Sequence, residues 1–365
     1  MAKYTSQELM DMEYEYVPHN YKPIEAVISK AEGIWVEDPE GRRYMDMLSA
    51  YSAVNQGHRH PKVIKALKDQ ADVLTLTSRA FYNDKLPLFA KKMRELTGKD
   101  MFMPANTGVE AVEVAVKTMR KWGYMKKGVE KDKAEIIVFE ENFHGRTVTI
   151  VSFSVDLVAK ENYGPYTPGF KVVPYDNLQA VEEAVTENTV GILVEPIQGE
   201  AGVVVPADGF LKGLGDIARK NNILLAMDEI QTGFCRTGKT FAFQHEDVDP
   251  DIIIMGKALG GGVMPVSGIS ADKDILGVFE PGSHGSTFGG NPLACAVATA
   301  AIDVLIEENM SERAAELGNY FMSGIRDINS PKIEKVRGKG LLIGVVMKES
   351  AGKARIYTTA LKEKG

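Results

Sequence analysis

The sequence predicts an α/β fold: a large domain with a mostly parallel, helix-covered sheet, and a smaller α+β domain built from both chain ends. Short apolar runs rich in Ile, Val and Leu have the composition of strands buried on both faces. Helix-length segments such as 178–187 and 209–220 alternate with these runs, as in parallel α/β sheets. The runs are residues 136–139, 190–194, 223–227 and 252–255.

Length and the two chain ends predict the domain organisation. The 365 residues are enough for about two domains. We expect a first segment at 1–50 that includes part of the small domain, a large domain at 51–305, and the rest of the small domain at 306–365. An Ala-rich helix at 291–308 would bridge them. The last residues read as a helix ending in a C-cap glycine with no strand after it, so we expect a truncated protein.

Composition excludes several classes of protein. The 43 Lys and Arg against 50 Asp and Glu give a net charge of −7, which argues against nucleic acid as a partner. There is no signal-peptide pattern and no apolar run of 18 residues, so no membrane segment is expected. Two cysteines, Cys235 and Cys295, predict reduced thiols in a cytoplasmic protein. His58 and His60 lack a third ligand nearby, so no metal site is expected.

Three polar segments follow predicted strands, where ligands bind in open α/β sheets. They are Asp228, Lys257 before a run of glycines, and the loop from Glu195 to Glu200. An arbitrary lysine is usually a solvated surface charge. A lysine between four apolar residues and a triple glycine instead indicates a desolvated amine suited to Schiff-base chemistry. Asp228 is either a strand-end N-cap or the partner of a cationic ring nitrogen, as in a pyridoxal phosphate site.

A helix start at residues 106–110 is a candidate phosphate site. Thr107 and Glu110 form a capping-box pattern, and Gly108 exposes the backbone before the apolar positions that begin with Val109. Free N–H groups and the helix dipole favour a phosphate there, although such helix starts commonly hold no ligand. A second loop, 285–291, could add hydroxyl groups to the phosphate or be a simple Gly-rich turn.

Two residues after another predicted strand could contact a substrate or a flat ring. Arg146 could bind a substrate carboxylate through two hydrogen bonds. Phe143, three residues earlier, could stack on a planar cofactor.

A competing motif lies at residues 233–240, where GFCRTGKT matches the P-loop pattern GxxxxGK[ST]. A P-loop has to open a helix, but the residues that follow are aromatic and then acidic. The candidate Walker B aspartate also lies on the strand that leads into the loop rather than on a separate strand. We therefore keep a P-loop nucleotide-binding protein only as a distant alternative, beside a non-catalytic binding protein.

From residue 19 to the end, the sequence resembles the class III, fold type I, pyridoxal-phosphate-dependent aminotransferases, and among them the ornithine aminotransferases. This resemblance implies an enzyme that uses pyridoxal 5'-phosphate. The segments that carry it are 49–58 (SAYSAVNQGH), 77–81 (TSRAF), 195–202 (EPIQGEAG), 228–233 (DEIQTG), 256–259 (GKAL) and 284–292 (HGSTFGGNP).

The resemblance implies a role for each cofactor residue. Lys257 would form the Schiff base and shuttle the proton, while Asp228 would pair with the ring nitrogen. Gln231 would hydrogen-bond the ring hydroxyl, and Phe143 would stack on the ring. The remaining contacts would bind phosphate: Gly108 and Val109 through backbone N–H groups, and Ser286 and Thr287 from the neighbouring subunit of a homodimer with shared active sites.

The resemblance also implies the substrates, L-ornithine and 2-oxoglutarate, in arginine and proline metabolism. Arg146 would hold the ornithine carboxylate, and Tyr21 and Tyr51 would direct the δ-amine to the cofactor. Glu200 would cover a second arginine in the first half-reaction and release it for 2-oxoglutarate. That arginine belongs to a C-terminal strand beyond residue 365. Acetylornithine or 4-aminobutyrate aminotransferase is the alternative within the family.

Overall fold

The computed structural model describes residues 4–365, and its strands fall into three sheets. The strands of this part of the chain are β1 (Lys30–Glu32), β2 (Trp35–Glu37), β3 (Arg43–Met45), β4 (Met101–Ala105), β5 (Glu135–Phe139), β6 (Phe170–Val173), β7 (Thr189–Val194), β8 (Leu224–Asp228), β9 (Ile252–Met255), β10 (Ser267–Ala271), β11 (Ile333–Lys339) and β12 (Leu342–Met347).

Helices connect and cover these strands, and short 3₁₀ turns lie at Ala242–His245, Lys257–Gly260 and Glu349–Ala351. A π-helical turn at Gly123–Lys127 extends the fifth helix. The helices are α1 (Ser6–Tyr16), α2 (Ser49–Ser52), α3 (Pro61–Ala71), α4 (Leu86–Thr97), α5 (Gly108–Trp122), α6 (Val148–Val151), α7 (Leu157–Lys160), α8 (Leu178–Ala184), α9 (Phe210–Asn221), α10 (Lys273–Leu276), α11 (Pro292–Glu307), α12 (Met310–Asp327) and α13 (Ala354–Lys362).

The central sheet has seven strands in the order β4-β10-β9-β8-β7-β5-β6. The five neighbouring strands β9, β8, β7, β5 and β6 are all parallel to one another. Strand β10 runs antiparallel to both β9 and β4. The predicted α/β fold with a mostly parallel sheet is therefore confirmed. The four predicted apolar runs correspond to β5, β7, β8 and β9, each within one residue at either end.

Both faces of this sheet are buried, as the apolar composition of the runs predicts. Successive residues of β9 point to opposite sides: Ile253 packs in one core cluster with Leu214 of α9, and Ile254 packs in the other with Val112 of α5. Helix α11 covers the first cluster as well through Ala298. A sheet buried on both faces leaves its strand ends as the place where polar side chains can meet a ligand.

Some elements differ from the sequence prediction. Helix α8 ends at Ala184 rather than at residue 187, because Val185 already has extended backbone angles. Strands β4, β6, β10 and β11 lie outside the apolar runs. The predicted bridging helix at 291–308 is present as α11, whose N-cap is Asn291.

The two chain ends lie against each other. Strands β1, β2 and β3 form an antiparallel sheet, and β11 and β12 form a hairpin. The Nη2 atom of Arg42 donates to the Glu363 carbonyl oxygen at 2.7 Å, and Nη2 of Arg355 donates to the Pro23 carbonyl oxygen at 2.9 Å. These contacts agree with one small unit made from both chain ends. The domain boundaries at 50/51 and 305/306 stay predictions, and the second boundary lies inside α11.

No helix within residues 4–365 is both long and apolar enough to cross a membrane.

Candidate active site

The carboxyl ends of the central strands enclose a cavity of about 210 Å³. Asp228 is the last residue of β8, Glu195 follows β7, and Lys257 follows β9 by two residues. Parallel strands bring these side chains to one edge, as the sequence predicts. The predicted site residues that line the cavity are Gly108, Val109, Phe143, Glu200, Asp228, Gln231 and Lys257.

Lys257 begins a 3₁₀ turn directly after the buried strand β9 and Gly256. Its backbone is left-handed, with φ of 44°. Burial lowers the pKa of Lys257, while the negative charges of Glu200 and Asp228 oppose that shift. A lysine with a lowered pKa has a larger fraction of free amine near neutral pH, which suits nucleophilic attack on a carbonyl group.

A buried ion pair fixes Asp228. Its Oδ1 accepts a hydrogen bond from the Ile230 amide at 3.0 Å, and its Oδ2 lies 2.7 Å from Nδ1 of His144. Burial acts to lower the pKa of His144, but the hydrogen bond to Asp228 and its charge raise it overall. A protonated His144 and the Asp228 carboxylate carry opposite charges, and both residues line the cavity.

His144 has no role predicted from the sequence, although it lies only two residues before Arg146 in the loop after β5. It is 3% exposed, and its Nε2 has no hydrogen-bond partner within residues 4–365. The nearby Arg146 was the signal that could have drawn attention to this loop.

Glu195 is the second residue without a predicted role. It is buried, and its Oε1 accepts a hydrogen bond from the Phe143 amide at 2.8 Å. Burial raises the pKa of Glu195 to about 7, with the charge of His144 opposing the shift. This hydrogen bond fixes the backbone that carries the Phe143 ring at the cavity wall.

The first turn of α5 forms the wall where a phosphate is predicted. The Oγ1 of Thr107 accepts a hydrogen bond from the Glu110 amide, which completes the predicted capping box. The amides of Gly108 and Val109 come before the first amide that donates within the helix, which is that of Ala111 to the Thr107 carbonyl oxygen, so they are free to bind an anion. Gly145 makes room for this turn: its φ is 124°, and a Cβ there would lie 2.3 Å from Cγ2 of Val109.

Gln231 and Glu200 are hydrogen-bonded to each other across the cavity mouth. The Nε2 of Gln231 donates to Oε1 of Glu200 at 3.1 Å. Gly199 creates the space for the Gln231 amide, since a Cβ at Gly199 would lie 1.3 Å from Oε1 of Gln231. The carboxylate of Glu200 is therefore within reach of the residue predicted to contact the cofactor ring.

A second cavity, of about 240 Å³, adjoins the first on the far side of the loop after β5. Arg146 and Glu200 line it, together with Phe143 and His144. The guanidinium of Arg146 lies 5.3 Å from the centre of the Phe143 ring. An exposed guanidinium at the edge of this cavity can bind a carboxylate through two hydrogen bonds.

Four predicted residues lie outside both cavities. Tyr21 is 78% exposed and Tyr51 is 51% exposed. Thr287 is exposed, and Oγ of Ser286 accepts a hydrogen bond from Nδ2 of Asn106 at 3.1 Å in the same chain. These four residues line neither cavity, and their predicted contacts with a substrate or a neighbouring subunit stay predictions.

The P-loop pattern at 233–240 does not open an α-helix. It ends in the short 3₁₀ turn Ala242–His245. Gly238 packs against helix α12, where a Cβ would lie 2.9 Å from Cβ of Ala315. The interpretation that these residues are not a P-loop agrees with this fold.

Family comparison decides the class of this site. The family model for class-III aminotransferases matches residues 16–365. The chain belongs to the class-III aminotransferase family. It is an aminotransferase, and enzymes of this family use pyridoxal phosphate.

Relatives of this class-III aminotransferase carry a consistent name. The ornithine aminotransferase of Brevibacillus brevis is 59% identical over 95% of this chain and 86% of its own length. The ornithine aminotransferase of Bacillus subtilis is 57% identical over 99% of this chain and 89% of its own length.

Two solved structures have the same fold as this class-III aminotransferase. The ornithine aminotransferase of Toxoplasma gondii has a TM-score of 0.98 at 44% identity and covers 99% of this chain and 87% of its own. The acetylornithine aminotransferase of Elizabethkingia anophelis has a TM-score of 0.90 at 47% identity and covers 99% of this chain and 90% of its own.

The residues of this class-III aminotransferase fit pyridoxal phosphate. A buried carboxylate, Asp228, and an amine, Lys257, line one cavity, which also has the aromatic wall of Phe143. Gly108 packs closely on Ile230, since a Cβ there would lie 3.1 Å from Cδ1 of Ile230, and the helix start at Gly108 lines the same cavity. These groups match the ring nitrogen, the aldehyde, the ring face and the phosphate, respectively.

Proposed function

We propose that this chain transfers the δ-amino group of L-ornithine to 2-oxoglutarate by a ping-pong mechanism, giving glutamate 5-semialdehyde and glutamate. The observation that carries the chemistry is the shared cavity of Lys257 and the Asp228–His144 pair. Ornithine is supported by the names of the relatives at 57–59% identity. Pyridoxal phosphate, when bound, supplies a reactive aldehyde and an electron-accepting ring.

Each cofactor residue then has a physical task. Lys257 would act as the free amine and would move a proton, and its lowered pKa favours both tasks. Asp228, hydrogen-bonded to His144, would pair with a protonated ring nitrogen. Gln231 would donate to the ring hydroxyl, and the Phe143 ring would cover one face of the cofactor ring.

Phosphate binding is assigned to two chain segments. Gly108 and Val109 offer backbone N–H groups at a helix start. Ser286 and Thr287 add hydroxyl groups, and we infer that they do so to the site of a second subunit.

Substrate binding rests on the residues around the cavity mouth. We propose that Arg146 holds the ornithine carboxylate. Tyr21 and Tyr51 would orient the chain of the donor so that the δ-amine reaches Lys257. Glu200 would change partners between the two half-reactions, and its exposed position at the mouth supports such a change.

A homodimer with shared sites is also proposed. Monomeric proteins rarely expose large contiguous apolar patches. Large apolar side chains are exposed here in four segments of the chain, three of which carry or adjoin the predicted site residues Tyr21, Tyr51 and Thr287, and this supports a covered surface. The exposed side chains are Tyr21, Ile24, Tyr51, Phe81, Tyr82 and Phe288.

A cytoplasmic location in arginine and proline metabolism completes the proposal. Cys235 and Cys295 are both buried and unpaired, as is usual in a reducing compartment. A proposed role in that metabolism follows from ornithine as the donor.

The test is the visible absorption of the purified protein with pyridoxal phosphate, before and after L-ornithine. We expect a yellow band that disappears with ornithine, and no such band in Lys257→Ala, which should also lose turnover while keeping its circular dichroism spectrum. N-acetylornithine and 4-aminobutyrate serve as competing donors. A band that responds to one of these but not to ornithine would overturn the substrate and keep the reaction class.

A further inference from the structure

Arg236 lies in the segment that resembles a P-loop and has no role in the proposed reaction. Its side chain is partly buried and contacts the N-terminal part of the chain. Nε donates to Oδ1 of Asn55 at 3.0 Å, and Nη2 donates to Oγ of Ser49 at 2.8 Å. Burial lowers the pKa of Arg236 to about 10, with the charge of Asp46 opposing that shift. An arginine that is desolvated in this way is held there by its hydrogen bonds.

The segment that Arg236 contacts is strained. All four residues of α2 have left-handed backbone angles, with φ of 55° at Ser49, 45° at Ala50, 56° at Tyr51 and 72° at Ser52. None is glycine, so each Cβ crowds the following carbonyl group. Such a conformation persists only where surrounding contacts hold it, and it is common at functional sites.

Side chains bind this left-handed turn at both ends. Before the turn, Oδ1 of Asp46 accepts a hydrogen bond from the Ser49 amide at 2.8 Å. After it, Nδ2 of Asn55 donates to the Phe234 carbonyl oxygen at 2.8 Å. Arg236 links the two ends, since its guanidinium contacts Ser49 and Asn55 together.

The same arginine is bound to the C-terminal hairpin. The Leu341 amide donates to the Arg236 carbonyl oxygen at 2.9 Å, and Nη1 of Arg236 lies 3.4 Å from the Leu341 carbonyl oxygen. Gly340 packs on the backbone of Thr237, where a Cβ would lie 2.4 Å from the carbonyl carbon. Arg236 therefore joins three parts of the chain: its own loop, the left-handed turn and the β11–β12 hairpin.

We propose that Arg236 is a positioning residue for the amino donor, because it holds the left-handed turn that presents Tyr51. The proposal rests on the proposed function of Tyr51 in donor binding. Within residues 4–365, no hydrogen bond of Arg236 reaches a residue assigned to pyridoxal phosphate, so the proposal places its effect on donor binding.

The experiment compares Arg236→Met with Lys239→Met, an exposed lysine of the same loop. In the holoenzyme, Arg236→Met should raise the KM for L-ornithine about tenfold, the effect of losing hydrogen bonds to a charged group. The absorption band before donor addition and the kcat should change less than twofold. Lys239→Met should match the wild type in all three.

A double-mutant cycle with Tyr51→Phe tests whether Arg236 acts through Tyr51. If it does, Arg236→Met should raise the KM little further in the Tyr51→Phe background. If the two substitutions raised the KM by independent factors that multiply in the double mutant, the proposal would be overturned. An unchanged KM in Arg236→Met would overturn it as well. Ser49→Ala removes a single hydrogen bond and keeps the arginine, so a smaller KM increase is expected even if Arg236→Met folds poorly.

Hydrogen exchange of residues 46–55 provides a readout that needs no reaction. In Arg236→Met, the backbone amides of residues 46–55 should exchange faster than in the wild type. The amides of β4 (Met101–Ala105) should exchange at wild-type rates. Unchanged exchange at 46–55 would overturn the proposal whatever the donor is. Wild-type protein that ignores ornithine while the exchange result holds would instead count against the proposed function.

Discussion

Glu195→Gln should flatten the pH dependence of stability. The pKa of Glu195 rises from 4.5 to about 7 because the side chain is buried. The folded state therefore keeps a proton that the unfolded state has already lost, so stability present below pH 4.5 is lost as pH rises toward 7. At about 1.4 kcal/mol per pKa unit, the total loss is about 3 kcal/mol. Glutamine cannot ionise and removes this loss.

The measurement is urea unfolding between pH 5 and pH 8. Cofactor-free protein is used because Lys257 bound to pyridoxal phosphate would add its own titration to the pH dependence. Wild-type stability should fall about 2–3 kcal/mol more over this range than that of Glu195→Gln. The glutamine amide adds a buried donor, but that cost is the same at each pH and cancels from the slope. Glu187→Gln, at an exposed position, should keep the wild-type slope. Parallel curves for Glu195→Gln and wild type would refute the reasoning.

Two further predictions concern the cavity mouth. Gly199→Ala should displace the Gln231 amide, because its Cβ would lie 1.3 Å from Oε1; we expect weaker pyridoxal phosphate binding in a titration followed by absorption. Gly324→Ala, where a Cβ meets no atom within 4 Å, should bind pyridoxal phosphate as tightly as the wild type. If Gly199→Ala also bound it with wild-type affinity, the assigned packing would be contradicted. Tyr21→Ile should lower the ratio of kcat/KM for ornithine to that for 4-aminobutyrate, measured in parallel assays; an unchanged ratio would remove Tyr21 from donor selection.

The parallel core of the sheet could be predicted because burial on both faces leaves a plain signature in the sequence. Strands β5, β7, β8 and β9 are continuous apolar runs. Strand β10 reads SGISA and relies on small side chains, including the buried Ser267 and Ser270. Strand β4 contains Pro104, which is tolerated because β4 is an edge strand. Hydrophobic pattern alone does not reveal either strand.

The site was predictable to the same extent. Residues that end predicted strands, such as Asp228, could be placed at one edge of the sheet. His144 and Glu195 depend on contacts between distant parts of the chain: His144 lies 84 positions from Asp228, and Glu195 lies 52 positions from Phe143. Neither residue type nor spacing encodes such a pairing, so a buried polar network has to be read from the structure.

The P-loop pattern shows why spacing alone misleads. Its glycines are required by packing: a Cβ at Gly233 would lie 2.7 Å from the Glu229 carbonyl oxygen, and Gly238 has φ of 90° beside Ala315. A phosphate-binding loop needs glycines at the same spacing for a different reason, which is access of an anion to the backbone. Close packing and anion binding therefore select the same glycines at the same spacing. What separates them is the element that follows, and here the loop leads into a 3₁₀ turn while its arginine holds the turn that carries Tyr51.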